Sequence, residues 1–231
     1  PLYRRWGLDP AAAPRTSYSI GIADPETMAE RAEAARDRGF PILKCKVGTD
    51  DDRARLDAIR EAVPDVRLRV DANCAWDADE AIMHTQWLAE FGVEFVEQPV
   101  AADDLAGLAR VADASPVPVA ADESCVTARD VPRVADAADV VVVKLMKCGG
   151  IRAAMDQIAA AHAHNLDVML GCMVEPNASI AASHHLAPLV EYADLDGSLL
   201  LADDPFDGVP VRDGVVDLRE VDRPGTAAVE R

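Results

Sequence analysis

The feature that most constrains this chain is one unit that recurs along its length: a short apolar run followed by a capped helical stretch. Runs at 17–22, 42–47, 66–70, 95–97, 117–121, 140–145, 167–170 and 192–195 are bounded by turn formers and read as strands. Helix signals lie between them. Asp24-Pro25-Glu26 supplies an N-cap and a proline at the first helical position, and Gly39 supplies the stop. A helix is expected over 51–63. Asp77-x-x-Glu80 resembles a capping box, with Met83, Trp87 and Phe91 on one stripe of the helix it opens. Further helices are expected at 103–113, from Thr127, at 151–164 with Ile151, Met155, Ile158 and His162 sharing a face, and at 179–189. Eight strands alternating with seven helices, about 25 residues apart, predict an α/β fold with a parallel sheet. No Gly-x-Gly-x-x-Gly follows the first strand, which favours a closed barrel, a modified TIM barrel of the form (β/α)7β, over a doubly wound sheet. Residues 1–16 read as a lead-in from something already under way, 17–198 as the barrel, and 199–231 as an extension with a hairpin turn at Arg212-Asp213-Gly214.

Composition narrows what such a barrel can do. A net charge of −18 argues against nucleic acid or an anionic membrane surface as partner. No targeting segment and no long apolar run is present, so the expectation is a cytoplasmic protein acting on a small molecule, with homo-oligomerisation left open. The five cysteines lack metal-type spacing and are expected to be small buried thiols. The five histidines fall in expected helices and are assigned no chemistry. Lysine is the outlier: only Lys44, Lys46, Lys144 and Lys147 occur, and arginine carries the other positive charges. Lys44 and Lys46, two apart on a strand, leave the same face of it. Paired ammonium groups on a half-buried surface are costly unless a site uses them.

In barrels of this kind chemistry gathers at the C-terminal strand ends. Those ends carry Lys44 and Lys46, Asp71 and Asn73, Glu97, Asp122 and Glu123, Lys144, and Asp194 and Asp196. Asp71, Glu97 and Asp122 sit on three successive strands, close enough to converge on one hard cation, and all-oxygen ligation suits Mg²⁺, with Mn²⁺ as a substitute. The competing reading is three loop-end caps. Lys46 and Lys144 lie on the second and sixth strands and so face each other across the ring. One base on each side of a metal-bound substrate suits a 1,1-proton transfer through a metal-stabilised enediolate. Lys44 is expected to assist by repelling its neighbour's proton, and Lys147 to form an ion pair with one of the carboxylates. Asp194 and Asp196, across from Glu97, suggest a pocket for a cationic group on the substrate, against the alternative of loop-end capping.

Lys44-Cys45-Lys46-Val47-Gly48, Asp71-Ala72-Asn73, Glu97-Gln98-Pro99, Ala121-Asp122-Glu123-Ser124 and Lys144-Leu145-Met146-Lys147-Cys148-Gly149-Gly150 resemble the enolase superfamily in its muconate-lactonising branch. A lysine base working with Mg²⁺ is a known example from that superfamily. Asp194-Leu195-Asp196 and Gly171-Cys172-Met173-Val174-Glu175 resemble the dipeptide epimerases of the L-Ala-D/L-Glu type. The resemblance implies that Asp194 and Asp196 bind the substrate α-ammonium and that Lys46 and Lys144 exchange the α-proton of its second residue. It also implies an N-terminal capping domain, for which residues 1–7 look like the junction, and without which the barrel should turn over poorly. Sibling activities remain open: an o-succinylbenzoate synthase or an N-acylamino-acid racemase, whose substrates lack the ammonium group and have no use for Asp194 and Asp196. A non-catalytic barrel serving as a binding module is the reading from a different class.

Overall fold

The computed structural model describes residues 1–231. The strands are β1 (Tyr18–Ile20), β2 (Ile42–Lys46), β3 (Arg67–Asp71), β4 (Val93–Glu97), β5 (Val119–Ala121), β6 (Val140–Val143), β7 (Asp167–Leu170) and β8 (Tyr192–Ala193). They form one parallel sheet in the order β1 to β8. The ring closes at the β8–β1 seam through a parallel bridge between Thr16 and Ala193. The Ser17 amide donates to Ala193 O at 3.1 Å across that seam. This is the expected (β/α)7β barrel.

Helix α1 (Leu2–Arg5) precedes the barrel. Its outer layer is α2 (Pro25–Asp37), α3 (Asp52–Ala62), α4 (Ala78–Glu90), α5 (Leu105–Ala114), the one-turn α6 (Val131–Val134) and α7 (Leu145–Cys148), α8 (Ile151–Ala163) and α9 (Asn177–His184). Asp24 caps α2, and the Asp77–Glu80 capping box closes reciprocally at the start of α4. The inward faces differ from expectation. In α4 the buried residues are Ala78, Ala81, Thr85 and Leu88, while Met83 is 62% exposed. In α8 they are Ala154, Gln157, Ile158 and Ala161, and His162 faces solvent. Small side chains let a helix lie close against a sheet, so alanines mark the contact line and bulky residues flank it. The helix expected from Thr127 is cut to α6, because the Asp130 carboxylate accepts from the Thr127 amide at 2.9 Å and ties 126–130 into a turn.

The main core lies between the sheet and its helices, and Phe95, Ala120, Val140, Val142 and Met169 fill the barrel interior. Burying one such side chain contributes roughly 1.5–3 kcal/mol. Beyond β8 come β9 (Phe206–Asp207), the hairpin β10 (Val211–Arg212) and β11 (Val215–Val216), and β12 (Val229–Glu230), which pairs with β9. Asp213 and Gly214 adopt φ of 53° and 72°, the left-handed pair that a two-residue hairpin turn needs. Val209, Val216, Leu218 and Val221 of this tail pack on Tyr3 and Ala181 in a small separate core. His184 and His185 are fully buried beneath it, with His185 stacked on Tyr3 at 5.8 Å. All five cysteines are free thiols, but only Cys45 and Cys125 are buried; Cys74, Cys148 and Cys172 are half-buried. No helix is long and apolar enough to cross a membrane.

Candidate active site

All eight residues singled out from the sequence lie at the C-terminal mouth of the barrel. β2 and β3 run in register with Lys46 opposite Asp71, and β3 and β4 with Asp71 opposite Glu97. One row across three strands therefore carries a lysine and two acids. Lys44, Lys46, Asp122, Lys144, Asp194 and Asp196 line a cavity of about 510 Å³. Asp71 and Glu97 are wholly buried.

The lysines stand among the acids. Lys44 Nζ lies 2.9 Å from Glu97 Oε2, 3.4 Å from Asp71 Oδ2 and 2.5 Å from Asp194 Oδ2. Lys46 Nζ donates to Asp71 Oδ2 at 2.6 Å and to Asn73 Oδ1 at 2.7 Å. Lys144 Nζ donates to Asp122 Oδ2 at 2.6 Å and lies 3.9 Å from Glu97 Oε1. Lys147 pairs with the same Asp122 carboxylate, as expected, and also donates to Asp122 O at 2.7 Å. Gly171, at the end of β7, makes room for this: a Cβ there would sit 2.8 Å from Lys144 Cε.

Lys44 itself is held in its charged form. Burial disfavours its charge, but Asp194, Glu97 and Asp71 outweigh burial and hold its proton well above the ordinary lysine range. At Lys144, burial and the Lys44 charge are outweighed by Asp122 and Glu97, which raise the affinity for the proton. Burial pushes Asp71 and Asp122 up, yet their lysine partners hold both below the usual carboxylate value. Glu97 goes the other way. Burial, with the charges of Asp71 and Asp122, pushes it up to about 8 despite Lys44.

That imbalance tests the fit to a cation. Glu97 Oε1 is buried without any hydrogen-bond partner, and Glu97 is flanked by two further acids. An oxygen donor set of this kind suits a hard divalent ion. The acids are not gathered into a ready ligating cluster, because ammonium groups stand between them. A cation here would have to displace those contacts.

The two strand-8 aspartates are not equivalent. Asp194 is held below the usual range by Lys44 and Ser17, against the effect of burial. Asp196 has no cationic side chain in direct contact, and burial together with Asp194 pushes it up to about 7. The Ser19 amide donates to its Oδ2 at 2.6 Å.

Other participants were not legible in advance. Gln98 accepts from the Asp122 amide at 2.9 Å and donates to Ser124 Oγ at 2.8 Å, tying the end of β4 to the end of β5. Asn73, Cys74 and Gln98 adopt φ of 43°, 65° and 39°, a left-handed backbone that non-glycine residues rarely take. Ser17, just ahead of β1, and Ser19, on β1, carry no chemical signal in the sequence; only their contacts to Asp194 and Asp196, just after β8, reveal them.

The model of the family described as enolase C-terminal domain-like matches residues 27–228. An L-Ala-D/L-amino acid epimerase of Maribacter sp. is 42% identical over 217 residues, covering 94% of this chain and 63% of the relative. The substrate-liganded L-Ala-D/L-Glu epimerase of Bacillus subtilis superposes with a TM-score of 0.87 at 39% identity, over 93% of this chain and 63% of that one. The dipeptide epimerase of Cytophaga hutchinsonii, complexed with Mg and D-Ala-L-Val, superposes with a TM-score of 0.93 at 30% identity, over 100% of this chain and 65% of that one. The chain thus spans just under two thirds of the length of these relatives.

Proposed function

The chain belongs to the enolase C-terminal domain-like family, and from that premise we propose that its barrel serves a Mg²⁺-dependent dipeptide epimerase of the L-Ala-D/L-Glu type. Within it we take 17–198 as the catalytic barrel, with 1–16 leading in and 199–231 packed alongside. The observation that carries the reading is the placement of Lys46 and Lys144 on strands four apart in the ring, with Asp71, Glu97 and Asp122 on the arc between them.

In this reading Asp71, Glu97 and Asp122 hold the divalent ion. When bound, it draws charge from the carboxylate of the reacting residue and makes the neighbouring α-proton more acidic. Lys46 and Lys144 contact two of those carboxylates, Asp71 and Asp122, and would be freed to face the substrate where the acids hold an ion. One Nζ, neutral, removes the α-proton from one face, and the other, charged, delivers a proton to the opposite face. Which lysine plays which part depends on the configuration of the incoming dipeptide. Asp196 receives the substrate ammonium. Lys44 and Lys147 keep the buried acids compensated and are not needed as bases.

The test is proton exchange followed by NMR, with L-Ala-L-Glu in D₂O and Mg²⁺, using wild type, Lys46→Ala and Lys144→Ala. Deuterium at the glutamate α-carbon with formation of the D-Glu epimer is the expected wild-type result, and each variant should lose epimer formation. Epimerisation that survives either substitution would rule out the two-base scheme. Exchange with acylated amino acids but not with dipeptides would move the activity to the sibling racemases.

A further inference from the structure

The two lysines that face each other across the ring are held in different ways. Lys144 is fixed by packing: its side chain is 7% exposed, and the bare backbone of Gly171 lies against it, where a Cβ would come within 2.8 Å of Lys144 Cε. Its Nζ contacts are both carboxylates, Asp122 at 2.6 Å and Glu97 at 3.9 Å. The Lys46 side chain is 33% exposed and has more rotamer freedom to lose. Besides Asp71, its Nζ has one neutral partner, Asn73 Oδ1 at 2.7 Å. The other end of the same amide, Nδ2, donates to Glu123 Oε1 at 3.3 Å. All three side chains line the cavity.

The amide between them can point only one way. An ammonium offers donors and a carboxylate offers acceptors, so reversing Asn73 would set its NH₂ against the Lys46 ammonium and its oxygen against Glu123. Glu123 makes no other side-chain hydrogen bond, and its Oε2 is buried without a partner. The backbone beneath is equally fixed. Asn73 sits at φ 43°, a left-handed conformation that asparagine tolerates better than most residues. Its amide donates to Asp71 Oδ1 at 3.0 Å, and the Cys74 amide donates to Gln98 O at 2.8 Å. The 73–75 turn also lies against Gly48, where a Cβ would come within 2.5 Å of Ala75 Cβ. In the reading above Asp71 serves the divalent ion, which leaves Asn73 as the partner that stays with Lys46. We propose that Asn73, oriented by Glu123, is a positioning residue for Lys46 alone, so that the two faces of the reacting carbon are served by bases set in different ways. This rests on the two-base reading.

The test follows exchange with retained configuration. A neutral lysine takes the α-proton, its ammonium trades with D₂O, and a deuteron returns to the same face, so each epimer reports the lysine on its own side. With the full-length protein and Mg²⁺, α-deuterium in recovered L-Ala-L-Glu and L-Ala-D-Glu is read separately by NMR. The epimer whose exchange is lost in Lys46→Ala is the one Lys46 serves. Asn73→Gly keeps the left-handed backbone without strain and removes only the side chain, so folding should survive. It should slow exchange of the Lys46 epimer roughly tenfold, the scale of a hydrogen bond to a charged group. The other epimer, and Mg²⁺ affinity by calorimetry, should stay close to wild type. Asn73→Asp should slow exchange of the same epimer by setting a second carboxylate against Glu123, and adding Glu123→Gln, which supplies the missing amide, should restore it. Equal slowing of both epimers, no slowing of either, or a double variant no better than Asn73→Asp alone would overturn the inference while leaving the epimerase reading intact. A wild type that exchanges neither epimer would overturn both.

Discussion

At the N-terminal end of the barrel Arg69 is 1% exposed, donates to Glu94 at 2.7 Å and to Ala193 O at 2.9 Å, and lies between the rings of Phe95 and Tyr192. At the opposite end four ammonium groups stand among Asp71, Glu97, Asp122, Asp194 and Asp196. Both ends bury charge. In the first, the arginine has fixed partners and a packed surround, and nothing is left over. In the second, Lys44 divides itself among three acids, Asp122 serves two lysines, one Glu97 oxygen has no partner, and Asp196 has no cation. Burial alone therefore does not distinguish a plug from a site. Unequal sharing does, because it leaves binding capacity for something from outside.

The largest effect should come from Lys144→Ala, which is expected to lower α-proton exchange by ~10²–10⁴-fold. Its urea midpoint should stay close to that of wild type, and a collapsed midpoint would mean that the mouth is as structural as the base. Arg69→Met should behave in the opposite sense. Removing one partner of a buried pair costs about 3–5 kcal/mol, to be read from urea unfolding, with kcat of the folded fraction preserved.

Smaller effects concern pH. Glu97 at about 8 and Asp196 at about 7 keep protons that the unfolded chain has already released near its ordinary values of 4.5 and 3.8. Their contribution to stability is therefore full below about 4, is lost progressively from there as pH rises, and is gone above about 7 to 8. Unfolding of the metal-free protein across that range, repeated with Mg²⁺, should show the Glu97 share disappear and the Asp196 share persist. If Mg²⁺ left the pH slope unchanged, the three acids would not be its site. His184 gives the converse and smallest signal. Burial lowers it from 6.5 to about 4, so its contribution is complete above 6.5 and is lost as pH falls toward 4. His184→Gln should remove that acid-side loss, with or without Mg²⁺.

The strands and their polar ends were legible because a barrel writes them in a repeating way: an apolar run, then a charged residue where the run meets solvent. The helix faces were less so. In α4 the bulky Met83 suggested the buried line, whereas contact with the sheet is made through Ala78 and Ala81. The acid partners of Lys44 were not legible, because its nearest charge in the sequence is Lys46, while Asp71, Glu97 and Asp194 lie 27, 53 and 150 positions away. Ser17 and Ser19 were invisible for the same reason. A serine at a strand end means nothing until the eighth strand brings an aspartate to it.

The hairpin tip of the tail adds a consequence of its own. Thr16 N donates to Gly214 O at 2.8 Å, and an Arg15 guanidinium nitrogen to Asp213 O at 2.9 Å, so the tail grips the chain just ahead of β1. During synthesis β1 emerges early, yet Ser19 meets Asp196 across 177 positions, and the hairpin that pins the approach to β1 follows later still. On a ribosome releasing ~5–20 residues per second, β1 would wait several seconds or more for its last neighbour. The acid–lysine arc from β2 to β6 can assemble well before then, whereas the corner of the cavity at Asp194 and Asp196 takes shape only as these last residues emerge.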